Sequence, residues 1–171
     1  KEDWHEILRK MMAKEYRKAC AMGQDPKFTN AEEMGEFYEH GILILDYVLS
    51  KRGVYFQKKN HELVGVEVPL LVPMDVNSNV KFRGYIDLII KDTRDNTYKI
   101  IDIKTSTMGW NKYQKADKTK TAQLVLYKSY YAKQFNVPLE NIRVEYFIVK
   151  RMLYENMDFP QKRVQIFNPA A

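Results

Sequence analysis

The run Gly84-Tyr85-Ile86-Asp87-Leu88-Ile89-Ile90 and, after a polar interval, Ile100-Ile101-Asp102-Ile103-Lys104-Thr105 place charged residues inside two segments apolar enough to be buried strands. Side chains alternate along a strand, so Asp102 and Lys104 point to one face, roughly 7 Å apart along the chain. The interval Asp92-Thr93-Arg94-Asp95-Asn96 is of hairpin type, and pairing the two strands brings Asp87 toward the same spot. Two carboxylates in a partly dry site repel each other, and desolvation disfavours their charged forms. A divalent cation relieves both problems. Mg²⁺ takes hard oxygen ligands, keeps several waters, and binds through one or two carboxylates plus substrate phosphate oxygens. Lys104 beside it would position or deprotonate a water and stabilise developing negative charge. The metal would serve as Lewis acid and template for in-line attack on phosphorus. The alternative is a buried Asp–Lys ion pair, with Asp87 satisfied by backbone donors. Three such residues on two adjacent strands favour the metal.

Outward from this centre the period changes. Before it, residues 3–22 carry Trp4, Leu8, Met11, Met12 and Tyr16 at helical spacing, and a loop through Gly23, Asp25 and Pro26 follows. Thr29 or Asn30 caps a second helix with Glu32 and Glu33 in its first turn; it runs to about Ser50. Residues 63–72, 80–91 and 98–106 read as three strands, with a turn at 75–79 between the first two. A lysine-rich stretch from Thr107 to Lys120 leads into a helix over about 119–135. Residues 143–150 form a further strand, and 163–167 add an edge strand. The order predicts an α/β fold with a mixed central β-sheet flanked by helices. We expect one domain over residues 1–171, with a helical part at about 1–50 and a catalytic core at about 60–151.

The chain has 171 residues, 45% hydrophobic and 29% charged, which suits a packed domain and excludes a disordered tail or a collagen-like repeat. A single cysteine, Cys20, excludes an internal disulfide and a four-Cys zinc or iron–sulfur site. No apolar run approaches the ~20 residues of a membrane span, and no signal-peptide pattern opens the chain, so a cytoplasmic setting without membrane contact is expected. The first residue is Lys1 rather than Met, so the natural N-terminus is expected further upstream. The net charge is +6, and it is unevenly placed. Between Lys104 and Arg151, ten basic residues face three acidic ones (Asp117, Glu140, Glu145), a local excess of +7. That excess reads as a phosphate-tracking surface or as a solvated lysine face.

Gln123-Leu124-Val125-Leu126-Tyr127 stacks an amide and a phenol at i and i+4 on a helix face, placed to bond phosphates or buttress a metal site. Taken in order, "GYIDLI", "IIDIKTS" and "QLVLY" resemble the PD-(D/E)XK nuclease superfamily, specifically its RecB-like branch of recombination, CRISPR-adaptation and phage nucleases. The resemblance spans about residues 35–151. It implies a restriction-endonuclease-like αβββαβ core, with Asp87, Asp102 and the Ile103 carbonyl as metal ligands and Lys104 as the catalytic lysine. Gln123 and Tyr127 would form the motif beyond the core site, and Thr105 and Ser106 would shape the substrate groove. The family also places a His or Glu ligand on the helix before the strands. Spacing from Gly35 favours Glu39 and ligand type favours His40, with a slight lean to Glu39; Glu67 is a lesser candidate. Two departures stand out: Ile86 replaces the motif proline, and the cysteine set of some relatives is missing.

The implied activity is an Mg²⁺- or Mn²⁺-dependent deoxyribonuclease, expected to be an exonuclease, acting in the cytoplasm (of a host, if the source is viral). Lys112, Lys115, Lys118 and Lys120 would grip the DNA backbone. Trp110 and Tyr113 would stack on an unpaired base, worth ~1–3 kcal/mol, or anchor the loop to the core. No P-loop is present, so a helicase or recombination partner would be a separate chain. The rival readings are an inactive nucleic-acid-binding module of the same fold, an RNA-cleaving enzyme, and a structural assembly protein.

Overall fold

Two capped helices open the structure, a computed structural model that describes residues 3–22, 29–75 and 79–169. Helix α1 (Trp4–Ala21) starts where the Asp3 carboxylate accepts hydrogen bonds from the backbone amides of His5 and Glu6. Helix α2 (Ala31–Ser50) starts on a reciprocal pair: the Asn30 side chain accepts from the Glu33 amide, and the Glu33 side chain accepts from the Asn30 amide. At Gly41 helix α2 leaves room for the Leu8 side chain of α1. A Cβ there would lie 2.7 Å from Leu8 Cδ2. A single turn, α3 (Arg52–Tyr55), then leads into the sheet.

The sheet order is β1-β2-β3-β4-β5, comprising β1 (His61–Pro73), β2 (Lys81–Asp92), β3 (Thr97–Ser106), β4 (Ile142–Lys150) and β5 (Val164–Phe167). All neighbours are antiparallel except β3 and β4. A parallel pair needs a crossover. Here it is made by α4 (Lys112–Ala116) and α5 (Lys118–Phe135), the latter ended by Asn136 in the left-handed conformation. Alternation along the strands feeds two cores. Leu70, Ile86, Ile100, Tyr146 and Ile148 pack with Leu124, Tyr127 and Tyr131 of α5. Ile101, Phe147, Val149 and Val164 pack on the other face with Ile44, Tyr47 and Val48 of α2 and with Tyr55 and Phe56. Among the described residues no helix is long and apolar enough to cross a membrane.

The expected order of elements is the observed one, and the expected strand and helix ends lie within two residues of the observed ones. Two short helices, α3 and α4, were not foreseen, because four or five residues are too few to show a period. The expected loop at Gly23–Pro26 and the centre of the expected turn at 75–79 lie outside the described residues.

Strand β1 is a sheet edge, and unpaired edges are hazards. The end of α5 covers part of it. Gln134 accepts from the Leu71 amide (2.8 Å) and donates to the Pro69 carbonyl (3.0 Å), while Lys133 Nζ donates to the Pro73 carbonyl (2.7 Å). Gln134→Ala removes two of these bonds at an exposed site, so urea denaturation should show a loss of about 1 kcal/mol.

Candidate active site

The chemistry-bearing residues collect where two strands part. Pairing between β2 and β3 runs from Asp92↔Thr97 to Leu88↔Ile101 and stops there. The next residues on each side are Asp87 and Asp102, while β3 stays paired to β4 as far as Ser106. Beyond the break, the Ile103 amide donates to Asp87 Oδ2 at 2.6 Å. A carboxylate has taken the place of a backbone acceptor. Strand β2 is irregular at this point: Ile86 and Ile89, three apart, both enter the α5-side core. Its neighbour β1 carries Glu67 at φ 51°, between the pairs Val68↔Ile86 and Val66↔Leu88. Glu67 itself is exposed.

Asp102 is only 2% exposed, because alternation turns it toward α5 and under the helix. Lys104, two residues on, shares that face and sets its Nζ 2.7 Å from Asp102 Oδ2. Among the described residues no other hydrogen bond reaches that oxygen. Burial pushes the Asp102 carboxyl above its usual range; the Lys104 ammonium opposes this, and the nearby Asp87 carboxylate adds to it. The Lys104 side chain remains 33% exposed, with Nζ 5.9 Å from the centre of the Tyr146 ring. This group can therefore reach solvent and Asp102 alike.

Tyr146 was missed by sequence reasoning. It lies beside Asp102 in the β3–β4 register, is fully buried, and donates its hydroxyl hydrogen bond to the Lys120 carbonyl. Its phenol is pushed up to about 12 by burial first, then by Asp102 and Tyr127. The Tyr146 hydroxyl in the run Val144-Glu145-Tyr146-Phe147 was the only available signal, and a buried tyrosine is usually plain core. Above it on α5, Gln123 Nε2 donates to the Tyr127 hydroxyl at 2.9 Å. Gly84 makes room for that tyrosine, since a Cβ there would lie 3.1 Å from Tyr127 Cε1.

The remaining candidates are dispersed. Glu39 is exposed, whereas His40 is half-buried, with Nδ1 buried and unpartnered, and lines a cavity with Thr105 and Ser106. Among the described residues no three His, Cys, Asp or Glu side chains cluster closely enough to hold a metal, so neither Glu39 nor His40 joins Asp87 and Asp102. The Ser106 hydroxyl is occupied in closing a turn with Gly109. Of the two roles expected for Trp110, its burial fits the loop anchor. At 9% exposure it packs against Tyr146 and Phe167 as a core anchor. Tyr113, at 73%, is open to solvent. Lys112, Lys115 and Lys120 lie over the rings of Tyr113, Phe167 and Trp110 at 5.0, 5.8 and 5.3 Å, and Lys118 is exposed at the start of α5. The lysine-rich stretch is thus largely helical, starting on the Asn111–Gln114 capping box.

The donor set of Asp87, Asp102 and the Ile103 carbonyl is all hard oxygen, and it includes a buried carboxylate oxygen whose partner is the Lys104 ammonium. That is the chemistry a small divalent cation takes. A family model of the PD-(D/E)XK nuclease superfamily matches residues 2–170, nearly the whole chain. No curated protein matches it. The mixed five-stranded sheet with flanking helices agrees with a restriction-endonuclease-like fold.

The buried pair should respond asymmetrically to substitution. Lys104→Met strands a buried carboxylate and should cost about 2–3 kcal/mol, less than a fully buried pair because the lysine is partly solvated. Asp102→Asn relieves the desolvation and should cost under ~1 kcal/mol. Urea denaturation of both variants checks the order.

Proposed function

This chain belongs to the PD-(D/E)XK nuclease superfamily, whose members are generally divalent-metal nucleases, and from that membership we propose that it is an Mg²⁺- or Mn²⁺-dependent deoxyribonuclease of the RecB-like kind, acting as an exonuclease. The observation that carries the reading is the convergence of Asp87, Asp102 and Lys104 at the point where β2 and β3 part. Asp87, Asp102 and the Ile103 carbonyl would hold the metal. Neither helix candidate belongs to this set: Glu39 is exposed, and His40 lines a separate cavity with Thr105 and Ser106. A bound Mg²⁺ or Mn²⁺ polarises the phosphate and lowers the pKa of a bound water.

The chain's own groups do the positioning. Lys104 Nζ, solvent-accessible at one side and tethered to Asp102 at the other, holds the attacking water and donates hydrogen bonds to charge growing on the phosphorus oxygens. The Tyr146 ring beside it limits the sweep of the ammonium. The Gln123 amide and Tyr127 hydroxyl, already bonded to each other, are presented from α5 as a rigid pair toward the phosphate. Lys112, Lys115, Lys118 and Lys120 follow the strand's phosphates, and exposed Tyr113 stacks on an unpaired base. A helicase or recombination protein on a separate chain, in the cytoplasm, would supply the substrate strand.

End-labelled single- and double-stranded DNA, and matching RNA, should be incubated with Mg²⁺, Mn²⁺ or EDTA. DNA should shorten from an end with either metal, and EDTA should stop the reaction. Asp102→Ala and Lys104→Ala should each lower the rate on the order of 10³-fold while circular dichroism is unchanged. Full activity in both would end the assignment. If about five lysines meet phosphates, log affinity should fall with log salt at a slope of about −4. A slope near zero would return the basic segment to a solvated surface.

A further inference from the structure

On the sheet face opposite α5, the middle of α2 and the ends of β3 and β4 enclose a cavity of about 450 Å³, lined among others by Phe37, His40, Ile44, Thr105, Thr107 and Arg151. Every titratable group in its lining is basic: Arg151 and His40, with no carboxylate. The Arg151 guanidinium lies 4.9 Å from the centre of the Phe37 ring, its Nε is buried without a hydrogen-bond partner, and among the described residues no acid pairs with it. His40 Nδ1 is likewise buried and unpartnered.

Both sides of Arg151 are fixed in place. Its own amide donates to the Ser106 carbonyl (2.9 Å), and the Met152 amide donates to the Thr107 carbonyl (2.8 Å). Arg163 binds the Arg151 carbonyl at 3.0 Å. A buried donor without an acceptor costs free energy, and a planar guanidinium held on an aromatic face is pre-formed for an anion with two oxygens in a plane. The cavity is larger than one phosphate needs, and its remaining wall, Phe37, Ile44 and Val149, is apolar. Thr105 directly follows Lys104 on β3, and alternation turns the two side chains to opposite faces, so the cavity and Lys104 share a strand but lie on different sides of the sheet.

We infer that this cavity takes one unpaired nucleotide of the substrate strand. Its phosphate rests on Arg151 and the hydroxyls of Thr105 and Thr107, and its sugar or base lies on Phe37 and Ile44. The inference deepens the nuclease reading, but the binding it describes does not need cleavage. The phosphate is either a terminal monoester or an internal diester.

The test is fluorescence anisotropy in EDTA, using the full chain and a short single-stranded DNA carrying either a 5′-phosphate or a 5′-hydroxyl. Arg151→Gln should weaken binding about tenfold, Thr107→Val about two- to fivefold, and Arg151→Lys should restore part of the loss. Lys162→Gln, which removes an exposed charge outside the cavity, should change affinity less than twofold. Preference for the 5′-phosphate in the unaltered chain that vanishes in Arg151→Gln assigns the site to a strand end. Equal loss on both DNAs assigns it to an internal phosphate. Unchanged affinity in Arg151→Gln and Thr107→Val, or an equal loss in Lys162→Gln, overturns the inference whether or not the chain cleaves DNA. Should the chain cleave nothing while Arg151→Gln still weakens binding, the nuclease reading falls and the cavity stands.

Discussion

The parting of β2 and β3 after Leu88↔Ile101 is the constraint on which the site depends. An antiparallel ladder that continued would bury its backbone groups in pairs and leave no space between the strands. Here the Ile103 amide is satisfied by the Asp87 carboxylate instead, so the ladder can stop without an orphaned donor. The same exchange holds Asp87 against β3, beside Asp102. Opening the sheet and gathering the carboxylates are one event.

That opening is tolerable because both sides are braced. Strand β3 stays hydrogen-bonded to β4 through Ser106, which keeps Asp102 and Lys104 on a straight, twisted track. From above, α5 packs Leu124, Tyr127 and Tyr131 onto the sheet. The cost is a carboxylate taken almost completely out of water. Lys104 offsets part of that cost with its ion pair, and the carboxyl still sits above its usual range. A site held in this state gains from a cation in a way that an exposed acidic pair does not.

The basic segment illustrates how packing divides one composition into different roles. Trp110 and Tyr113 stand three apart in the same polar stretch, yet one is a core anchor under Lys120 and the other projects into solvent. Lys115 and Lys120 set their ammonium groups over the Phe167 and Trp110 rings, a cation–π arrangement. The basic surface is therefore carried by ordered helices rather than by a loose loop.

Hydrophobic period, caps and turn residues are local properties, and by themselves they determined the order of elements, a cap at Thr29 or Asn30, the hairpin loop at 92–96 and the shared face of Asp102 and Lys104. They also singled out Asp87, Asp102, Lys104, Gln123 and Tyr127, because charge inside an apolar strand and an amide–phenol pair one helical turn apart are visible without coordinates. Other features depend on residues distant in sequence. Whether β2 and β3 stay paired at Asp87, which side of α2 turns inward, that Tyr146 lies beside Asp102, and that Arg151 meets Phe37 of α2 are decided by which faces bury each other. Adjacent helix positions such as Glu39 and His40 differ by ~100° of rotation, and only the packing of α2 on the sheet leaves one exposed and half-buries the other.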